Sequence, residues 1–343
     1  MIPVVDVDLS RSQGWYEAFA PHAAGVKALL SAFNNECESK LGRIPWWGIR
    51  NAVGVGGTLY GNLHGDECAA FAAIGGVSEA EVRTANLSYD LSHVGCSTLA
   101  VRGPDQDGPI HARNLDWELG DPTLLKRTLV IGRFRGAPAG PYLSLLWPGL
   151  YGGLTAMARG RFSVSINFVI HQNDSTPAAI ALRLGSGAMP VTWAVRHALD
   201  HCATYADALD YLTHVEIAAP VLYTLVGTQP DERVVIERGA TTATVRRAAV
   251  EAGPVYVTNH YVSPEMSACN GADDDLTPDS ARRFAGVGAG IPGSTSPDHL
   301  FGVLTRPDVL RPDTQYQVIM CAKAGTFICR ILGGEAQSVG GFA

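Results

Sequence analysis

The chain has 343 residues, 46% of them apolar and 17% charged, with 33 acids against 26 bases for a net charge of −7. That length allows one large core or two modest domains, and the composition excludes a disordered chain. The acidic balance without any basic run argues against a nucleic-acid partner.

The opening MIPVVDVDLSRSQGWYE lacks the basic start and apolar stretch of a signal peptide, which points to a cytoplasmic protein. No run of eighteen apolar residues follows, so no membrane span is expected. Apolar positions spaced by three and four (Ala20, Val26, Leu29, Leu30, Phe33) predict a helix over 14–42. Residues 45–57 read as a loop, marked by Pro45 and several glycines. Ser78 with Glu81 three residues on predicts a capping box and a short helix toward Tyr89.

From Cys96 the pattern changes to strands. CSTLAV and PIHARNL flank the turn GPDQDG and predict a hairpin. Strands follow at TLVIGRF, YLSLLW, GGLTAMA and RFSVSINFVI, then a helical stretch over 189–215. VLYTLVGT, RVVIERG and GPVYVTN read as further strands, 271–298 as a loop with a short helix at 280–286, and 314–332 as a closing hairpin. The order is not a βαβ alternation and predicts α+β layers rather than a doubly wound sheet.

The seven cysteines are odd in number, scattered, and form no CxxC, so neither a disulfide framework nor a zinc cage is expected. His197 and His201 stand four apart without a glutamate motif, and zinc is not expected there. The glycines of GVGAGIPGS lack the Lys-Ser/Thr of a phosphate loop, and Asp273-Asp274-Asp275 lacks calcium-loop spacing. Trp46 and Trp47 read as core, with an exposed lipid-facing patch as the alternative that lacks a basic face around it.

Cys96 stands apart by context. With GPDQDG as the turn, residue 102 faces 109, Cys96 lies beside Leu115 or Asp116, and Arg113 lies near Thr98. Strict alternation puts Arg113 and Asp116 on opposite faces, so both can face Cys96 only where the strand ends or bulges. A thiol needs a base, and no histidine is an obvious one; His111 is near but its face is open. An α-amino group, of pKa about 7.7–8.0, can serve a nucleophile on its own residue. That requires cleavage before Cys96, at Gly95, where glycine tolerates a strained scissile bond. The plainer alternative is a buried thiol beside a surface ion pair.

The segment AEVRTANLSYDLSHVGCSTLAV, followed by HARNLDW, resembles the N-terminal-nucleophile cysteine amidases of the acid ceramidase and N-acylethanolamine acid amidase group. More distantly it is similar to bile salt hydrolase and penicillin V acylase. The matching pieces are Asn86-Leu87-Ser88-Tyr89-Asp90 before the cysteine and Arg113-Asn114-Leu115-Asp116 after it. Ser163 to Phe168 resembles the strand carrying an oxyanion-hole asparagine, here Asn167; Val255 to His260 resembles the segment carrying the main oxyanion donor, here Asn259. Arg283 resembles an arginine supporting the cysteine. Two departures stand out. Phe168 occupies the position near which the ceramidase-like enzymes carry an acid. Isopenicillin N acyltransferase, which shares the Gly-Cys junction, typically has glutamine where this chain has Arg113, so the hydrolase branch fits better.

The resemblance implies an αββα sandwich of two stacked, mainly antiparallel sheets flanked by helices. It implies a mostly helical leading segment 1–95, a catalytic domain 96–343, and self-cleavage at Gly95–Cys96 with both fragments staying associated. It assigns chemistry to Cys96, Arg113, Asp116, Asn167, Asn259 and Arg283, and an acyl-lining role to Trp147, Leu150, Tyr151 and Phe168. The implied reaction is hydrolysis of an N-acyl amide with a lipid-like or aromatic acyl group, through a thioester, with no metal or organic cofactor. Transfer of the acyl group to an amine is the alternative, and an uncleaved binding protein the third reading. A homo-oligomer is left open.

Overall fold

The hairpin that carries Cys96 forms in the expected register. β2 (Gly95–Val101) pairs antiparallel with β3 (Ile110–Asp116), with Cys96 opposite Leu115, Thr98 opposite Arg113 and Val101 opposite Ile110. This geometry comes from a computed structural model of the chain, which describes residues 1–42, 46, 63–92, 94–104, 107–248, 253–273 and 276–340. Of the predicted 45–57 loop only Trp46 lies within that set, and it is buried; Trp47, Asp274 and Asp275 lie outside it.

The remaining strands in chain order complete two sheets. β1 is Val4–Asp8, followed after the hairpin by β4 (Val130–Arg135), β5 (Tyr142–Leu146), β6 (Thr155–Ala158) and β7 (Phe162–Phe168). Then come β8 (Val221–Val226), β9 (Arg233–Arg238), β10 (Ala243–Arg247) and β11 (Val255–Val257). β12 (Thr314–Cys321), β13 (Thr326–Ile331) and β14 (Gln337–Ser338) close the chain. One sheet has the order β1-β4-β5-β6-β7-β8-β9-β10 and the other β11-β2-β3-β12-β13-β14. Among the described strands the β1–β4 ladder is parallel and the other ladders are antiparallel.

The sheets stack through alternate side chains, as a period of two requires. On the inner face His111 reaches Ser163 and Ser165 of β7, and Thr98 reaches Asn167. On the outer face Leu99, Val101 and Ala112 pack under helices Leu276–Gly290 and Pro297–Leu304. Helices Val191–His201 and Tyr205–His214 cover the other sheet. The result is the expected αββα sandwich. Among the described residues no helix is long and apolar enough to cross a membrane.

Several elements depart from expectation for local reasons. The helix expected over 14–42 is three pieces, Gly14–Phe19, a 3₁₀ turn Ala20–His22 and Ala23–Leu41, because Pro21 cannot continue the first. The stretch 189–215 divides at a second capping box, Thr204 with Asp207. The short helix expected at 280–286 runs from Leu276 to Gly290. The Ser78–Glu81 capping box forms as expected.

Candidate active site

Cys96 is the second residue of a central strand, and its side chain points inward to full burial. Arg113, the middle residue of β3 and on the same face, donates from Nη2 to the Cys96 Sγ at 2.9 Å. Both terminal nitrogens also reach across the gap between the sheets, while the buried Nε has no hydrogen-bond partner among the described residues. Nη1 donates to the Leu154 carbonyl at 2.5 Å and to Thr155 Oγ1, and Nη2 also to the Ile166 carbonyl. Burial pushes the Cys96 thiol up, and the Arg113 charge pulls against it. Arg113 is therefore no surface ion pair; it is a buried cation aimed at sulfur.

The Cys96 backbone is gripped from the other side. Its N–H donates to Asn259 Oδ1 at 3.0 Å. Arg283 Nη1 donates to the Cys96 carbonyl at 2.5 Å, and Nη2 to Asn259 Oδ1 at 2.8 Å. A guanidinium can only donate, so Arg283 fixes which end of the Asn259 amide faces it. Asn259 Nδ2 is thereby turned toward the leading segment, where it donates to the Val94 carbonyl at 3.0 Å and the Phe168 carbonyl at 2.8 Å. Ser280 Oγ holds the Asn259 backbone N–H at 2.8 Å.

Asp116 pairs with Gly95 across the ladder and faces outward, opposite to Arg113, as strict alternation requires. The two approach the cysteine residue from its two faces. β3 itself does not bulge; the irregularity lies in its neighbour β12, between Thr314 and Tyr316. Asp116 Oδ1 accepts from the Thr314 hydroxyl at 2.6 Å. Its Oδ2 is buried and has no hydrogen-bond partner among the described residues, and burial pushes the carboxyl up.

His111 faces inward on β3, between the Ser163 and Ser165 hydroxyls at 3.0 and 2.9 Å. Burial holds it neutral, down to about 3, so it stitches the sheets and is not a base for Cys96. Asn167 does not hydrogen-bond to Cys96: Oδ1 accepts from Thr98 and Nδ2 donates to the Thr258 carbonyl at 2.9 Å. Gly95 is not among the left-handed glycines, and a β-carbon built on it would lie 3.0–3.1 Å from Arg311 and Asp116.

The leading segment seals the inner face. Asn86 Nδ2 donates to the Gly149 carbonyl, and its Oδ1 accepts from the Tyr151 N–H, both at 2.9 Å. Tyr89 stands edge-on to Trp117, which stands edge-on to Trp147. Leu150 lines a small cavity with Tyr89, Asn86 and Leu154. Trp147, Leu150, Tyr151 and Phe168 are all buried in the uncut chain.

Asp90 docks the last turn of this segment. Its Oδ1 accepts from the Val191 N–H at 3.0 Å, supplying the cap that Pro190 cannot give to helix Val191–His201. Its Oδ2 is buried without a hydrogen-bond partner among the described residues, and burial raises the carboxyl to about 7. The folded chain therefore holds this proton more tightly than the unfolded chain does. Stability from Asp90 is fully present below about pH 4 and falls as pH rises to about 7, by on the order of a few kcal/mol at most. Asp90→Asn is expected to flatten that part of the profile, read as the wild-type minus variant difference in urea unfolding at pH 4.5 and 7.5. Equal slopes would rule out Asp90 as its source.

Two residues of the site escaped the sequence reading, Asp279 and Arg311. Asp279 Oδ2 accepts from Arg283 Nε at 2.7 Å and Arg311 Nη1 at 2.6 Å, and the charges hold its carboxyl down at about 2 despite burial. The Asp279–Arg283 spacing of four on one helix was a visible signal; Arg311 had none.

These elements have counterparts. The solved structure of the Caenorhabditis elegans N-acylethanolamine-hydrolyzing acid amidase ortholog superposes with a TM-score of 0.53 at 22% identity, over 66% of this chain and 93% of that one. The chain has the N-terminal-nucleophile hydrolase fold. Its sequence is similar to acid ceramidase of Pan troglodytes, 26% identical over 249 residues, and to the Caenorhabditis elegans N-acylethanolamine-hydrolyzing acid amidase, 23% identical over 242. Each match covers 68% of this chain; the chain spans 62% of the ceramidase and 66% of the amidase. The family model described as acyl-coenzyme A:6-aminopenicillanic acid acyl-transferase matches residues 178–314. The resemblance to the acid ceramidase and N-acylethanolamine acid amidase group therefore holds in sequence and in fold.

Proposed function

We propose that the chain is a self-processing cysteine amidase that hydrolyses N-acylated amines. The observation that carries this reading is the triple hold on Cys96, with Arg113 on the thiol, Asn259 on the backbone N–H and Arg283 on the carbonyl, beside a spare Asp116 oxygen on the residue opposite Gly95. A mere structural cysteine needs none of these. Scission before Cys96 turns its N–H into an amine, and Asp116 Oδ2 is the buried acceptor for the added hydrogens.

In turnover the Cys96 sulfur bonds to the substrate carbonyl carbon, and the Cys96 amine takes the thiol proton and passes it to the leaving amine. Water then attacks the thioester and releases the acid. Asn259 Nδ2, which spans the Val94 and Phe168 carbonyls in the uncut chain, is the donor for the developing oxyanion. Losing one such donor typically raises the barrier by about 2.7–4 kcal/mol. Arg283 orients it. Asn167 stands one residue behind, on the Thr258 carbonyl, and stiffens that segment. Trp147, Leu150, Tyr151 and Phe168 border the acyl group once the seal formed by Tyr89 and its neighbours opens. The chemistry calls for no cofactor. Residues 1–95 stay with the body after the cut, because β1 pairs with β4 over five residues.

The match to a family described as an acyl-transferase supports a second reading, in which an amine replaces water. Both are tested with purified protein, an N-acylethanolamine or a ceramide, and an added primary amine. Free acid alone supports hydrolysis, and a new amide supports transfer. No product with either substrate, from a chain whose intact mass shows the cut, would remove this substrate class.

A further inference from the structure

Arg311 covers the junction from the outer face. A methyl group built on Gly95 would lie 3.0 Å from Arg311 Nε, 3.1 Å from its Cδ and 3.1 Å from the Asp116 Cβ. Carbon atoms do not pack that closely without something giving way. Arg311 has little freedom to give. Its Nε and Nη2 donate to the Asp313 carboxylate at 2.8 and 3.1 Å, and its Nη1 donates to Asp279 Oδ2 at 2.6 Å. Asp116 is fixed by the strand ladder. Asp279 also holds Arg283, which grips the Cys96 carbonyl, so one carboxylate sets both flanks of the Gly95–Cys96 peptide.

We propose that Arg311 is the specificity-determining residue of the chain's own scission, restricting the position before Cys96 to glycine; this rests on the self-processing reading above. In that step the Cys96 sulfur bonds to the Gly95 carbonyl carbon, the Gly95–Cys96 C–N bond breaks, and the thiol proton passes to the Cys96 nitrogen. Water then divides across the thioester, hydroxyl to the Gly95 carbon and hydrogen to sulfur. Arg311 makes and breaks no bond. It acts by position: a side chain at residue 95 must either push the Arg311 stem and the Asp116 Cβ back by a few tenths of an ångström, against the two carboxylates that hold the guanidinium, or turn the carbonyl away from the thiol.

The test is a time course of intact mass under denaturing conditions for wild type, Gly95→Ala, Arg311→Ala and the double variant, with Cys96→Ala as the uncut reference. Gly95→Ala is expected to slow scission by roughly tenfold to a hundredfold with Arg311 present. With Arg311→Ala the same change is expected to slow it by no more than about threefold to tenfold, the remainder coming from Asp116. A purely structural Arg311 would slow both residue-95 forms alike, so an equal penalty in both backgrounds overturns the proposal, as does Gly95→Ala cutting at the wild-type rate. Arg311→Lys, which keeps a cation for Asp279 and frees the stem to move, gives the same reading should the alanine variant fail to fold. A wild-type chain that stays whole removes the self-processing reading and this inference with it. A wild-type chain that cuts itself while ignoring residue 95 removes the inference alone.

Discussion

Cys96→Ala is expected to yield one chain of uncut mass and no amide turnover, at little cost in stability. Everything the proposal asks of this residue, bond formation and proton acceptance alike, sits on its sulfur or on the amine that cleavage releases. The backbone contacts survive the change, because Asn259 and Arg283 hold the N–H and the carbonyl rather than the side chain. Arg113 keeps its carbonyl partners. The loss of one buried sulfur should therefore cost about 1 kcal/mol in urea unfolding. Two fragments from the alanine variant would mean that some other group cuts the chain, and undiminished turnover would remove Cys96 from the chemistry.

Arg113→Ala is expected to act in the opposite way, damaging the fold first. The change takes a charged donor from the Leu154 and Ile166 carbonyls and the Thr155 hydroxyl, leaving them with the Ile166 N–H, the Tyr89 hydroxyl and the Tyr316 hydroxyl, and opens a cavity between the sheets. Hydrogen bonds to a charged group are worth about 1.5–3 kcal/mol each, less where the acceptor keeps a second donor, and the cavity adds to their loss, so a loss of roughly 3–5 kcal/mol is expected. Against a typical total of about 5–15 kcal/mol this is enough to unfold part of the population at body temperature. Arg113→Lys should not rescue it, because one ammonium cannot serve partners on β6, β7 and the thiol at once. A loss under about 1 kcal/mol would show that the sheets do not depend on this cation.

The hairpin register was legible because it depends on a local turn and a period of two. GPDQDG fixes which residues face, and alternation then sends Arg113 inward and Asp116 outward. Asn259 and Arg283 were found only through resemblance, since nothing near either residue says that the bend after β11 and a helix, 163 and 187 positions from Cys96, will close on it. Helix Gly65–Gly75 was missed because its small residues (Ala69, Ala70, Ala72, Ala73) blur any apolar stripe. β1 was missed for a different reason. VVDVD alternates, but its partner β4 begins more than a hundred residues later, and a parallel pairing leaves no turn to read. Gly95 is the instructive misreading. Its backbone freedom was the visible property, whereas the constraint comes from Arg311 and Asp116, which fold back from the other end of the chain and the other side of the hairpin.

The two ends of the described chain touch. The Ile2 N–H donates to Gln337 Oε1 at 2.8 Å, and Gln337 Nε2 donates back to the Ile2 carbonyl at 3.1 Å, tying β14 of one sheet to the start of β1 in the other. A short linker across that contact, with the chain reopened between Gly95 and Cys96, gives a circular permutant whose translation begins, after removal of the initiating methionine, at the cysteine itself. Such a protein would be born with the amine in place. In it the speed of the acyl chemistry and the speed of maturation become two separate quantities, each open to measurement without the other.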